Sequence, residues 1–348
     1  MKDMKKVFLF SVLMLLVAGC KNQDNDFMDY TETVYYPIQY PVRTLVLGES
    51  RIDNSIDLEH AFSVGVCVGG MYENRKNVSV DFKVDGSLLD KVANVRALPT
   101  DYYSITPEGS VTILKGSFNG NIRVNLTDKF FDDPDSYKGV YVLPLSIEGA
   151  SSGEVLRGIV ANGVENPNKH VAADWSTRSK DYTLFAVKYI NMLHGDFFKR
   201  GKSFKNGVPD KVYTTEDIEQ GQVINMKTTA YRQVVYTHTI NSEQYDVLVN
   251  FTDAVDGVGN VTFTAPEGAS YSVSGSGKYY DKTTVFAKEY GSWLTDPNEV
   301  GKEYPHTTLA IDYQLEGIMG GDTYQYVDTL VFRNNDVVYE EFVPEVIE

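Results

Sequence analysis

Apolar and polar residues alternate along much of the chain with a period of two, which is typical of strands that bury one face. Val78, Val80 and Phe82 form one such run, with polar residues between them. Similar runs occupy residues 122–126 and 141–147. Because Gly, Pro, Asn and Asp separate these short runs, the first half of the chain is predicted to be an antiparallel β-sandwich.

A second strand-rich block begins near residue 182. It contains about eight further runs, linked mostly by short turns rich in Gly, Asp and Asn. An up-and-down meander of about eight strands can close into a small barrel, which removes exposed sheet edges. The second block is therefore predicted to be an antiparallel β-barrel, with a second sandwich as the alternative, and the fold class is predicted to be all-β.

Residues 165–169 lack an apolar pattern and are predicted to lie in a joint between two domains. The predicted parts are a lipoprotein signal peptide (1–19), a flexible acidic tether (20–30), a sandwich domain (31–165), a linker (166–175) and a barrel domain (176–348). Trp175 is then expected to cover the interface between the domains.

The N-terminus has the pattern of an export signal with a lipid anchor. A basic start precedes an apolar run over residues 7–17, which is too short to span a bilayer as a helix. The sequence Val17-Ala-Gly-Cys20 that follows matches the bacterial lipobox, so Cys20 is predicted to be acylated. The polar, acidic segment after Cys20 is similar to the export signal of surface-exposed lipoproteins, which favours an outer-membrane, cell-surface location.

Composition excludes several classes of protein. The chain has 348 residues, of which 42% are hydrophobic, so it is not a disordered acidic chain. Two cysteines exclude a disulfide scaffold, and Cys67 is interpreted as a structural free thiol. The formal net charge of −16 repels phosphate backbones, so no nucleic-acid partner is expected.

Motifs for chemistry are few, and no catalytic residue, cofactor or metal site is assigned. The fragment Gly275-Ser-Gly-Lys278 is interpreted as a bend in a barrel strand rather than a phosphate loop. The segment Asp253–Asn260 carries carboxylates and glycines. It is predicted to be a hairpin turn, with a calcium loop as the alternative.

Aromatic side chains are the remaining candidates for function. Sugar rings stack their apolar faces on flat aromatic surfaces, and Tyr and Trp add a polar tip for hydroxyl groups. The predicted glycan-binding residues are Tyr279, Tyr280, Tyr290, Trp293 and Tyr304. The alternative is that these rings close the barrel or pack against its end.

Two parts of the chain resemble domains of Bacteroidota surface lipoproteins. Residues 98–127 and 141–147 resemble an N-terminal immunoglobulin-like domain of unknown function. Residues 188–195, 274–278 and 328–333 resemble the calycin-like C-terminal domain of the same lipoproteins. The resemblance implies an immunoglobulin-like sandwich followed by a calycin- or lipocalin-like barrel, and a role in glycan use beside an outer-membrane importer.

The expected function is therefore a non-enzymatic surface lipoprotein that binds an oligosaccharide or polysaccharide for a glycan-uptake system. An outer-membrane importer complex is the expected protein partner, and a lipid anchor is the only expected membrane attachment. Two alternatives are a structural or adhesin-like accessory lipoprotein that binds another protein, and a glycoside hydrolase with a carboxylate pair.

Overall fold

The computed structural model of the protein describes residues 31–215, 220–281 and 306–347. Strands dominate this part of the chain, which confirms the predicted all-β fold class. The described helical segments are short: α1 (Ser55–Leu58), α2 (Asp128–Asp132) and three 3-10 turns at Gly86–Leu89, Ser136–Lys138 and Ala172–Asp174. Within the described ranges, no helix has the length and apolarity needed to cross a bilayer.

The N-terminal half is a β-sandwich. Its strands are β1 (Thr33–Tyr35), β2 (Pro41–Val46), β3 (Ala61–Gly69), β4 (Val78–Val84), β5 (Arg96–Ala97), β6 (Tyr103–Thr106), β7 (Ser110–Ile113), β8 (Asn119–Leu126), β9 (Tyr141–Ala150), β10 (Glu154–Val155), β11 (Ile159–Val160), β12 (Trp175–Thr177), β13 (Tyr182–Ile190) and, near the C-terminus, β23 (Glu340–Glu341). One sheet has the order β10-β1-β3-β8-β6, and the other has the order β23-β2-β13-β9-β4-β7. β5 pairs with β9, and β11 pairs with β12.

The sandwich core follows the alternation in the sequence. In β3, Phe62, Val64 and Val66 are buried, whereas Ser63 between them is exposed. The inward side chains of both sheets form one apolar cluster. Each large apolar side chain buried in this way stabilises the fold by about 1.5–3 kcal/mol.

The strand β13 belongs to the sandwich and not to the barrel. It lies between β2, to which it is parallel, and β9, to which it is antiparallel. The predicted linker at 166–175 and the predicted barrel start at 176 are therefore wrong, because the chain passes from sandwich to barrel at residues 191–194. The error arises because alternation shows that a segment is a strand but does not show which distant strand it pairs with.

Trp175 was expected to cover the interface between the domains, but it lies on the ribbon that β12 forms with β11. It begins β12, and its indole Nε1 donates to the Asn168 carbonyl at 2.9 Å. The ring therefore holds the loop before β12, on the ribbon that β12 forms with β11.

The C-terminal half is the predicted barrel. Its strands are β14 (Gly195–Lys205), β15 (Val208–Val212), β16 (Gln222–Ala230), β17 (Gln233–Ile240), β18 (Glu243–Phe251), β19 (Val258–Thr264), β20 (Ser272–Tyr280), β21 (Thr308–Ile318) and β22 (Asp322–Asn334). β14 pairs with β16 on one side and β22 on the other, which closes an antiparallel barrel of eight strands. β15 is a hairpin arm that pairs with the second half of β14.

Asn191 joins the sandwich to the barrel. It directly follows β13 and is buried. Its amide Nδ2 donates to the carbonyl oxygens of Ala230 at 2.9 Å and Gln233 at 2.7 Å, in the turn between β16 and β17. Its backbone N–H donates to Thr228 Oγ1 at 3.0 Å. One side chain therefore ties the last sandwich strand to a barrel turn.

Asn191→Ala is expected to lower the free energy of unfolding by about 1–2 kcal/mol, because two part-buried carbonyls lose their donor. Urea denaturation followed by circular dichroism measures this loss. Asn121→Ala, on an exposed position of β8, is the control and is expected to stay within about 0.5 kcal/mol of the unmodified protein. Equal stabilities of the two variants would contradict this role for Asn191.

Candidate functional site

The barrel wall is split between β16 and β17. β16 pairs with β14 over Gln222–Met226, but the ladder between β16 and β17 begins only at Met226. No described ladder joins residues 222–225 to residues 237–240. A cavity of about 730 Å³ opens at this split and reaches the barrel interior. Its size lies within the range of about 300–1,000 Å³ that is usual for small-molecule sites.

A buried ion pair lies at the inner end of this cavity. Lys199 lines the cavity, and its Nζ is 3.0 Å from Oδ2 of Asp328. The side chains are only 2% and 0% exposed, respectively. Gly201 lies opposite Asp328 in the ladder, where a Cβ would come within 2.6 Å of Asp328 Oδ1. The absence of a side chain at 201 therefore leaves room for the carboxylate inside the barrel.

Tyrosine rings surround the Lys199 ammonium. Its Nζ lies 4.1 Å from the ring centre of Tyr213, 4.7 Å from that of Tyr326 and 6.0 Å from that of Tyr236. Tyr213 directly follows β15, whereas the other two rings stand on β17 and β22. Because a desolvated cation–π contact is worth up to about 2 kcal/mol, Lys199 holds the segment after β15 against the barrel wall.

His238 stands beside the same rings as a neutral group. Its ring centre is 4.3 Å from that of Tyr236 and 4.3 Å from that of Tyr326, and its Nε2 is hydrogen-bonded to Tyr313 OH at 2.8 Å. Complete burial, assisted by the positive charge of Lys199, holds the pKa of His238 well below its usual value. The imidazole therefore adds a flat surface and a hydrogen bond, but no charge.

Burial raises the pKa of Asp328 to about 6, although the adjacent Lys199 ammonium acts in the opposite direction. Removal from water disfavours the carboxylate, and the ion pair offsets only part of that cost. Below that pH the carboxyl becomes neutral, and the positive charge of Lys199 is then uncompensated.

Polar groups continue from the ion pair to the mouth of the cavity. Tyr213 OH donates to Ser203 Oγ at 3.2 Å, and Ser203 Oγ donates to Asp210 Oδ2 at 3.2 Å. The cavity lining also includes the amides and hydroxyls of Asn225, Thr237, Thr239 and Asn241. Flat rings beside hydrogen-bond donors and acceptors suit a polar, ring-shaped ligand.

Two of the predicted glycan-binding tyrosines are buried. Tyr279 is 0% exposed and Tyr280 is 2% exposed, so neither presents a ring face to solvent. Tyr279 OH donates to the Thr252 carbonyl at 2.7 Å, and burial raises the pKa of Tyr279 to about 12. For Tyr279, this placement agrees with the alternative that the ring packs within the barrel.

The other predicted site residues lie outside the described part of the chain. They are Cys20, the predicted lipidation site, and Tyr290, Trp293 and Tyr304. Their roles stay predictions.

The segment Asp253–Asn260 contains a hairpin turn, as predicted. Asp256 and Gly257 both have positive φ angles, of 53° and 77°, as a type I′ turn requires. Val255 and Val258 exchange both backbone hydrogen bonds across the turn. Asp253 forms an ion pair with Arg232 at 2.5 Å, so this carboxylate already has a partner.

The fragment Gly275–Lys278 lies within β20, which agrees with its interpretation as part of a barrel strand. Gly275 has a φ of 150°, and a Cβ there would meet Tyr313 at 2.4 Å. Glycine therefore allows close approach of β21.

Within the described ranges, no group of three His, Cys, Asp or Glu side chains is arranged to hold a metal ion. Cys67 is half-buried on β3, where burial raises the pKa of its thiol and its Sγ is 3.4 Å from Asn119 Oδ1. Its thiol is therefore kept protonated, which agrees with the structural role expected for it.

Lys199, Asp328, Tyr213 and His238 were not among the residues proposed from the sequence. For Lys199 and Asp328, the sequence contains a pattern that could have identified them. Lys199 shares a strand face with Phe197, and Asp328 shares one with Tyr326, Leu330 and Phe332. A charged residue that lies beside large apolar or aromatic residues on a strand face indicates a buried pair or a site.

Fold and site together define a class of protein: a two-domain, all-β molecule whose C-terminal barrel has a polar, tyrosine-rich cavity opening through its wall. The chain is 30% identical to a protein of unknown function from Bacteroides ovatus with a known crystal structure. The match covers 91% of this chain and 99% of that one, with a TM-score of 0.76. The protein belongs to the same family as this Bacteroides protein.

Further comparisons gave the following matches. The model of a family of N-terminal domains matches residues 29–154. A second Bacteroides ovatus protein of unknown function is 16% identical, with a TM-score of 0.41 over 88% of this chain and 97% of its own. No curated protein matches the chain.

Proposed function

We propose that this protein is a non-enzymatic, glycan-binding lipoprotein of the bacterial outer-membrane surface, and that the barrel cavity holds the sugar. The observation that carries the proposal is the cavity of about 730 Å³, which combines tyrosine rings with polar side chains. Sugars offer apolar C–H faces and many hydroxyl groups, so they match such a lining.

The geometry favours binding over hydrolysis. Hydrolysis needs two carboxyl groups flanking the scissile bond. Asp210 is the one described carboxylate in the cavity lining, and it already accepts a hydrogen bond from Ser203. Asp328 is fully buried, is paired with Lys199 and does not line the cavity.

The proposed location rests on the sequence Val17-Ala-Gly-Cys20 and on the acidic segment after it. Acyl chains on Cys20 would anchor the protein, and the polar segment would act as a tether. Family membership with a protein from Bacteroides ovatus is consistent with this setting, in which an outer-membrane importer would receive the glycan.

A glycan array probed with purified protein lacking residues 1–20 tests the proposal, followed by calorimetry on the best hit. We expect Tyr213→Ala to weaken the binding of that glycan about fivefold, because a lost aromatic contact is worth about 1 kcal/mol. Tyr213→Phe retains the ring and should bind within about twofold of the unmodified protein.

Tyr72→Ala, at an exposed position in the sandwich, is the control for loss of a tyrosine outside the cavity. Absence of any hit on the array would overturn the proposal. Capture of outer-membrane proteins without glycan affinity would favour the accessory-protein alternative. Shortening of the bound glycan would indicate a hydrolase.

A further inference from the structure

We propose that the cavity selects acidic glycans, whose carboxylate or sulfate groups bind lysines in the cavity lining. This inference rests on the proposed glycan-binding function and names the class of glycan. It is carried by the charges that line the cavity.

The cavity lining is locally basic in an acidic protein. Its described lysines and arginines are Lys199, Lys205, Lys211 and Lys227, against the single carboxylate of Asp210. The chain as a whole has 32 Lys and Arg but 48 Asp and Glu. A cleft lined by one sign of charge raises the local concentration of ligands of the opposite sign.

Two of these lysines already have acidic partners. Lys199 is paired with Asp328, and Lys205 Nζ lies 2.7 Å from Asp322 Oδ2. The first pair is buried at the inner wall of the cavity, whereas the second is partly exposed, and both leave little net charge where they lie. Lys199 also lies over the rings of Tyr213 and Tyr326, and Lys205 lies over that of Tyr324, so both would hold these rings in place for stacking.

The other two lysines stand at exposed positions on the cavity rim. Lys211 lies on β15 and Lys227 lies on β16, both with exposed side chains. Among the described residues, the ion pairs at the cavity are those of Lys199 and Lys205, and neither involves Lys211 or Lys227. Two exposed ammonium groups that line the same cavity as tyrosine rings suit a sugar that carries a negative charge.

The same charge chemistry comes from a uronate carboxylate or from a sulfate ester, so the test uses both. Tetragalacturonate is compared with its methyl ester, and sulfated neocarratetraose is compared with its desulfated form. Isothermal titration calorimetry is carried out at about 50 mM and 300 mM salt, because exposed charge contacts weaken as salt rises.

We expect the acidic member of at least one pair to bind about tenfold more tightly than its neutral counterpart at low salt. The advantage should shrink at high salt. The pair in which it occurs tells whether carboxylate or sulfate is the group bound.

The variant Lys211→Gln/Lys227→Gln should abolish most of this advantage while leaving affinity for the neutral member within about twofold. Lys115→Gln, at an exposed position in the sandwich, is the matched control. Every variant keeps the acidic residues Glu216, Asp217 and Glu219, so a difference in binding between variants comes from the substituted lysines.

Equal affinity for acidic and neutral members, or an acidic preference that survives the double lysine variant, would overturn this inference. If no glycan binds, including those on the array, the proposed function itself is overturned. The two failures are therefore distinguishable.

Discussion

Lys199→Met is expected to lower the free energy of unfolding by about 3–5 kcal/mol, because it leaves Asp328 buried without its counter-charge. The side chain of Asp328 is 0% exposed and cannot regain water without opening the barrel. The substitution also removes the cation that contacts the rings of Tyr213 and Tyr326. Guanidinium denaturation at pH 8 measures the loss.

The loss of stability in Lys199→Met should depend on pH. The pKa of Asp328 is raised to about 6 in the folded protein, above its usual value of about 3.9. The folded state therefore binds the proton more tightly, and this stabilising contribution is lost as pH rises through about 6. Without Lys199 the pKa rises further, so the variant should be less impaired at pH 5 than at pH 8.

A double variant tests whether the unpaired charge is the cause. Lys199→Met/Asp328→Leu removes both charges, and replacement of a buried pair by apolar residues is often neutral or stabilising. We expect it to recover most of the lost stability. A double variant as unstable as the single one would show that packing, and not charge, accounts for the loss.

Tyr279→Ala is expected to lower the free energy of unfolding by about 3–5 kcal/mol, the usual range for truncation of a large buried aromatic ring. Tyr279 packs on Phe251 at 5.9 Å between ring centres. Its hydroxyl holds the Thr252 carbonyl at the end of β18. The ring lies over Gly259, where a Cβ would come within 2.0 Å of it.

Gly259→Ala supplies the matched test. Alone it should destabilise by about 1–3 kcal/mol, because the buried ring must move. In Tyr279→Ala/Gly259→Ala the added methyl group enters space that the ring has left. The double variant should therefore be more stable than the sum of the single losses implies. Strict additivity, measured by urea denaturation, would contradict this packing.

Local patterns in the sequence predicted much of the fold. Alternation at Val78, Val80 and Phe82 marks β4, and Asp256-Gly257 marks the turn between β18 and β19. These features depend on neighbours in the chain, so single-sequence reasoning finds them. Barrel closure was expected from the number of strands, since a closed sheet has no exposed edges.

Pairing between distant strands could not be predicted in this way. β13 joins the sandwich because it pairs with β2, and nothing in the sequence of either strand identifies the other. The same holds for Lys199 and Asp328, which meet only because β14 closes the barrel against β22. The cavity depends on where β16 leaves β17, so it too became visible only in three dimensions.

The crystal structure of the protein with the best glycan from the array tests the central claim most directly. The account predicts a sugar in the cavity between β16 and β17, in contact with Tyr213 and close to Lys199. A sugar bound instead at Tyr290, Trp293 and Tyr304, or anywhere else outside the cavity, would contradict it.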